Sequence, residues 1–159
     1  MTTAYPMPDA SKVKSMLGLL FDGLDVKPGR KFDVLPASGC WVALYVSDDG
    51  APAAACIADG ALAANAGAAL SMLPPAVAKD AARSKQLTDV MVGNLREVLN
   101  ICTRLLMTDA SAHLRLADVF PAMSLPAGVA TVLTGQKGRI DFELTVPKYG
   151  PGTLAVVST

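Results

Sequence analysis

The stretch from Gln86 to Met107, QLTDVMVGNLREVLNICTRLLM, constrains the fold more than any other part of the chain. At about 100° per residue, Leu87, Met91, Leu95, Val98, Leu99, Cys102, Leu105 and Leu106 fall on one broad apolar face. Asp89, Gly93, Glu97, Asn100 and Arg104 fall on a narrow ridge opposite it. Such a pattern predicts a long amphipathic helix that must bury one side against a sheet or other helices. Glu97 and Asn100, three residues apart, would then project together from a rigid element. Other residues around them have to say whether that pair does anything.

Most other segments read as strands or shorter helices. Asp9-Ala10-Ser11 can cap a first helix over about residues 10 to 25, with Val13, Met16, Leu17, Leu20 and Phe21 at helical spacing. Lys27-Pro28-Gly29-Arg30 would end it and open a linker running to about residue 35. Trp41 to Val46 is β-branched and aromatic, Ser47-Asp48-Asp49-Gly50 is a turn signal, and Ala51 to Ile57 reads as the returning strand. Asp59 is placed to cap a helix over about 60 to 72, which Pro74-Pro75 would stop, leaving 76 to 85 as a looser segment.

Beyond the long helix, Ala112 to Leu116 alternates, with His113 and Arg115 on the polar side, and Pro121 and Pro126 mark a break. Val129 to Leu133, the Gly135-Gln136-Lys137-Gly138 loop and Arg139 to Val146 read as a second hairpin. Ile140, Phe142, Leu144 and Val146 would face inward. Gly150-Pro151-Gly152 would turn into a last strand, Thr153 to Val157. The class is α+β: an antiparallel sheet with long helices packed on one face, in a single domain over 1–159 whose core spans about 36–158.

Composition removes several functional classes. Fourteen basic and fourteen acidic residues give zero net charge, with no basic stripe for nucleic acid. The chain is 52% hydrophobic, but the Ala-rich run from Ala51 to Leu73 is broken by Pro52, Asp59, Gly60, Asn65 and Gly67. It therefore falls short of the ~20 apolar residues a bilayer span needs. MTTAYPMPDASK lacks the basic start and apolar core of a signal peptide, and Cys40, Cys56 and Cys102 show no CxxC spacing. The expectation is a cytoplasmic protein with buried thiols and no membrane partner. One histidine, His113, cannot build a metal site alone and reads as a surface residue. The 135–138 loop has neither the spacing nor the following helix of a phosphate loop.

An N-terminal helix, the hairpin ALYVSDDGAPAAACIADG, an Ala-rich helix ending AALSML and the long helix reading NLREVLN follow one another. This order resembles the CheX/CheC-like phosphatases of bacterial chemotaxis, whose signature is E-x-x-N on a long helix with a later proline at a strand. Glu97, Asn100 and Pro121 match it. The earlier helix, GALAANAGAAL, has no second E-x-x-N, so the resemblance is nearer to CheX. Two positions depart from the family's pattern. Arg104 stands where a small residue is usual, and Gly93 where Ser or Asp is often found.

The resemblance implies hydrolysis of the aspartyl-phosphate on a CheY-type response regulator. Asn100 would orient the attacking water, since an amide can accept from water and donate toward phosphoryl oxygens without adding charge. Glu97 would bond the regulator's active-site lysine and fix the docking register. Gly93 would let the partner's backbone approach, and Arg104 would either add phosphate affinity or obstruct docking. The regulator would supply Mg2+, so no cofactor or metal site is expected in this chain. Pairing of two copies through sheet edges is implied as well. Two alternatives stay open: a non-catalytic domain of this fold that binds a receiver or other signalling domain, and a structural relative of flagellar-switch proteins.

Overall fold

Central strands with apolar residues on both sides need cover on both faces, and this requirement organises the molecule. The computed structural model describes residues 5–159, so the first four residues of the stretch read for a signal peptide lie outside it. The strands are β1 (Asp25–Pro28), β2 (Trp41–Val46), β3 (Pro52–Ala58), β4 (Arg115–Pro121), β5 (Gly138–Val146) and β6 (Gly150–Ser158). They form one antiparallel sheet in the order β1-β5-β6-β3-β2-β4. The helices are α1 (Ala10–Leu17), α2 (Gly60–Ala69), α3 (Pro75–Ser84), α4 (Asp89–Ile101) and α5 (Ala127–Thr134).

Alternation along the strands sorts the core. Ala43 and Tyr45 of β2, Cys56 of β3, Phe142 and Leu144 of β5 and Leu154 and Val156 of β6 face α1, α2 and α4. Val42, Leu44, Ile57, Ala155 and Val157 point to the other face, where Val129 and Val132 of α5 cover them. The antiparallel α+β sheet with long helices on one face is therefore present, with a short fifth helix on the opposite face. α3 adds to the first layer by packing Ala78 and Ala81 against Ala64, Ala68 and Met91.

Several sequence expectations are corrected here. The first helix stops at Leu17; the chain turns through Gly23 at φ +79°, and Lys27 and Pro28 belong to edge strand β1. Strand pairing of Asp25–Pro28 with Phe142–Thr145, plus a Lys27–Glu143 ion pair at 2.9 Å, replaces the expected linker. Residues 75–84 are helical because Pro75 occupies the first helical position, where its fixed φ and missing N–H cost nothing. Residues 127–134 form α5 and not a strand, since the three-residue spacing of Val129 and Val132 buries both on one side. The second hairpin is consequently β5–β6, turning at Pro147–Tyr149, and Gly150–Gly152 lie within β6. Three strands follow the long helix where about four were expected.

The long helix itself is α4 followed by a 3-10 turn, Cys102–Leu105. Met91, Leu95, Val98, Leu99, Cys102, Leu105 and Leu106 are buried, as its apolar stripe requires. Three polar contacts fix it. Thr88 caps the first turn by accepting from Met91 N, and Asn94 Nδ2 donates to the Gly67 carbonyl of α2 at 2.8 Å. The buried Tyr45 hydroxyl donates to the Leu99 carbonyl at 2.6 Å. Burial and the nearby Cys56 and Cys102 thiols hold the Tyr45 phenol well above its ordinary range. The Cys56 thiol and burial together do the same to Cys102.

Two predictions follow from this packing. A Cβ at Gly152 would lie 2.5 Å from the Leu62 backbone of α2, so Gly152→Ala must push helix and strand apart. It should lower the urea unfolding free energy by at least ~1–3 kcal/mol. Second, Tyr45 and Cys102 carry folded-state pKa values above their ordinary 10.0 and 9.0. The unfolded chain releases those protons first, so stability is complete below about pH 9 and falls as pH rises further. Urea midpoints should be level across neutral pH and decline in that alkaline window. Tyr45→Phe should lower neutral stability by about 1 kcal/mol and flatten the decline above pH 10.

Candidate functional site

Burying one side of α4 leaves Asp89, Gly93, Glu97, Asn100 and Arg104 in solvent, all five exposed along the outer line of the helix and its 3-10 extension. The geometry expected from the sequence is thus present over about four turns. Neither Glu97 nor Asn100 has a side-chain hydrogen bond to another described residue. A Cβ at Gly93 would meet nothing within 4 Å. Gly93 therefore makes no helix–helix contact; it is a bare spot on an otherwise side-chain-covered ridge. Gly67 instead brings α2 and α4 together, where a Cβ would lie 2.9 Å from the Met91 carbonyl.

The ridge is held stiffly at its sides. Asn94 ties it to α2 through Gly67 and also donates to Ser71 Oγ at 2.7 Å. On the other side Arg96 forms an ion pair with Asp118 of β4. Below the carboxyl end, Lys12 Nζ of α1 donates to the Met107 carbonyl at 3.2 Å. Sequence reading missed Asn94, Arg96 and Asp118. An amide and a guanidinium flanking Glu97 resemble any polar helix surface until the strand partner is known.

The electrostatics of the ridge are mixed. Asp89 complements the positive amino end of α4, Glu97 lies mid-helix, and Arg104 sits in the last turn, where the helix dipole favours a cation. A phosphorylated acidic surface with a nearby lysine could meet Arg104 and Glu97 with its opposite charges. An amide at Asn100 lies one turn before Arg104 and can hold a water without ionising.

Pro121 lies elsewhere. It pairs with Trp41 at the end of β4 and lines a separate cleft of about 300 Å³ with Trp41, Leu87 and Met123, beyond the amino end of α4. Arg96, by contrast, meets Asp118 farther along β4. His113 stands just before β4, exposed, with Nδ1 2.8 Å from Asp48 of the β2–β3 turn. The turn brings in a carboxylate that sequence spacing could not show. The three cysteines are buried and free of disulfides. Among the described residues no cluster of three or more His, Cys, Asp or Glu side chains is arranged to hold a metal ion. No helix there is long and apolar enough to cross a membrane.

No protein-family model matches the chain, and no curated protein matches it in sequence. Solved structures do match. The FliY structure from Thermotoga maritima superposes with a TM-score of 0.54 at 12% identity, covering 94% of this chain and 82% of that one. The FliM middle domain from H. pylori gives 0.51 at 10% identity, covering 94% and 84%. A chemotactic CheC-like protein from Shewanella oneidensis is 17% identical over 93% and 91%, at a TM-score of 0.41, too low to argue from. The chain thus has the α+β fold seen in FliY and in the FliM middle domain.

Proposed function

We propose that this chain hydrolyses the aspartyl-phosphate of a CheY-type receiver domain, using the exposed ridge of α4. The observation that carries the reading is the pairing of Glu97 and Asn100. Both are exposed, neither forms a side-chain hydrogen bond with another described residue, and both stand on a helix clamped from three sides. A preset helix spends little ordering entropy on docking.

In this reaction Glu97 bonds the receiver's lysine and sets the register. Bare Gly93, one turn earlier, admits the partner's backbone. The Asn100 carbonyl then accepts from a water held in line with the phosphorus, and its NH2 group faces the phosphoryl oxygens. Water attacks phosphorus, the P–O bond to the aspartate breaks, and the carboxylate leaves. The proton released passes to phosphate or solvent. Mg2+ on the receiver would offset phosphoryl charge, and Arg104 adds a cation one turn beyond Asn100.

Two other readings stand beside it. The second is a non-catalytic domain of this fold that binds a receiver or other signalling domain without hydrolysing the phosphate. The third is a structural relative of flagellar-switch proteins, which the fold shared with FliM and FliY supports. Decay of a phosphorylated receiver from the same genome separates the first two. Asn100→Ala should lose on the order of 10²-fold of the acceleration while binding persists. Glu97→Gln should weaken binding roughly tenfold. Binding without acceleration by the unaltered chain would select the second reading.

Gly93→Ala supplies an internal control. It should raise the unfolding free energy by up to about 1 kcal/mol, because alanine is the better helix former and nothing crowds it. Weaker receiver binding by this more stable variant, measured by titration calorimetry, would place the contact at Gly93. Unchanged binding would remove Gly93 from the docking surface.

A further inference from the structure

β4 is an outer strand of the sheet, with β2 on one side and, among the described residues, no strand on the other. An open edge of this kind invites a second strand, since its outward N–H and C=O groups have no partners. The register identifies which groups those are. Ala122 N donates inward to the Cys40 carbonyl at 2.9 Å, and Phe120 pairs with Val42. Antiparallel bonding alternates, so Pro121 and Val119 turn their backbone groups outward. Pro121 has no N–H to offer. The Val119 N–H is already taken: it donates to Asp118 Oδ1 at 2.8 Å. That same oxygen accepts from Arg96 Nη1 of α4, so the helix holds the carboxylate in place. A register shift between Leu44 and Tyr45 leaves Ala117 without an opposite residue and interrupts the edge further down.

We infer that Asp118, steadied by Arg96, closes the free edge of β4 against strand pairing with a second copy of this chain. The outcome differs from the edge-to-edge pairing that the sequence resemblance implies, and it leaves the neighbouring α4 ridge uncovered. The opposite edge is blunted as well: β1 has four residues, ends in Pro28 and carries the Lys27–Glu143 ion pair.

Sedimentation of the full chain tests the closure. Asp118→Ala and Asp118→Val both free the Val119 N–H, valine being a good strand former should the alanine variant fold poorly. Asp118→Asn keeps an oxygen that can accept from Val119. The unaltered chain and Asp118→Asn should sediment as 16.4 kDa monomers. Asp118→Ala and Asp118→Val should shift to twice that mass, and Val119→Pro added to either should restore the monomer. Folded Ala and Val variants that remain monomeric would overturn the inference. So would an unaltered chain that is dimeric until Val119→Pro splits it, or an Asp118→Asn variant that dimerises like the alanine one.

Discussion

The seam between α4 and the sheet determines what the rest of the molecule can present. Leu95, Val98 and Leu99 are buried there, and the seam continues through Cys102, Leu105 and Leu106 beyond the helix. Because this stripe occupies one side of the helix, Glu97 and Asn100 have to face solvent. Hydrophobic burial alone would allow some rotation of the helix about its axis. The Tyr45–Leu99, Asn94–Gly67 and Arg96–Asp118 contacts remove that freedom from three directions. Each contact ends on a different element, so the ridge inherits its orientation from β2, α2 and β4 together.

Periodicity made the helix-facing layer legible. The apolar stripe of α4, the caps Asp9 and Asp59 and the hairpin around Asp48-Asp49 all depend on local chemistry, and all appear where local chemistry puts them. What stayed hidden depended on distant partners. Val129 and Val132 fit a strand or a helix in so short a segment, and the exposed apolar face of β2, β3 and β6 chooses the helix. Pro74-Pro75 can stop one helix or start the next, and here α3 begins at Pro75. β1 was masked as a linker because its four residues gain strand character only from pairing with β5.

For the ridge, the position of Glu97 and Asn100 could be read from the chain, and so could their exposure. Their stiffness could not, because Asn94 and Arg96 acquire meaning only from Gly67 and Asp118. Asp118 links two properties of the molecule: through Arg96 it steadies the helix, and through Val119 it occupies the outward donor of β4. A surface that receives a phosphorylated partner, the role proposed for this ridge, needs to be both fixed and unobstructed. One carboxylate at the border of helix and sheet contributes to both.

The central claim is that α4 presents the partner-facing surface, and chemical-shift mapping tests it most directly. An isotope-labelled chain would be titrated with a receiver domain held in its phosphorylated form by beryllofluoride. The proposed docking predicts that the largest shifts fall on Gly93, Glu97, Asn100 and Arg104, with the faces carrying β1 and α5 unmoved. Saturable shifts centred on the Trp41–Met123 cleft or on α5, with the α4 ridge silent, would contradict it.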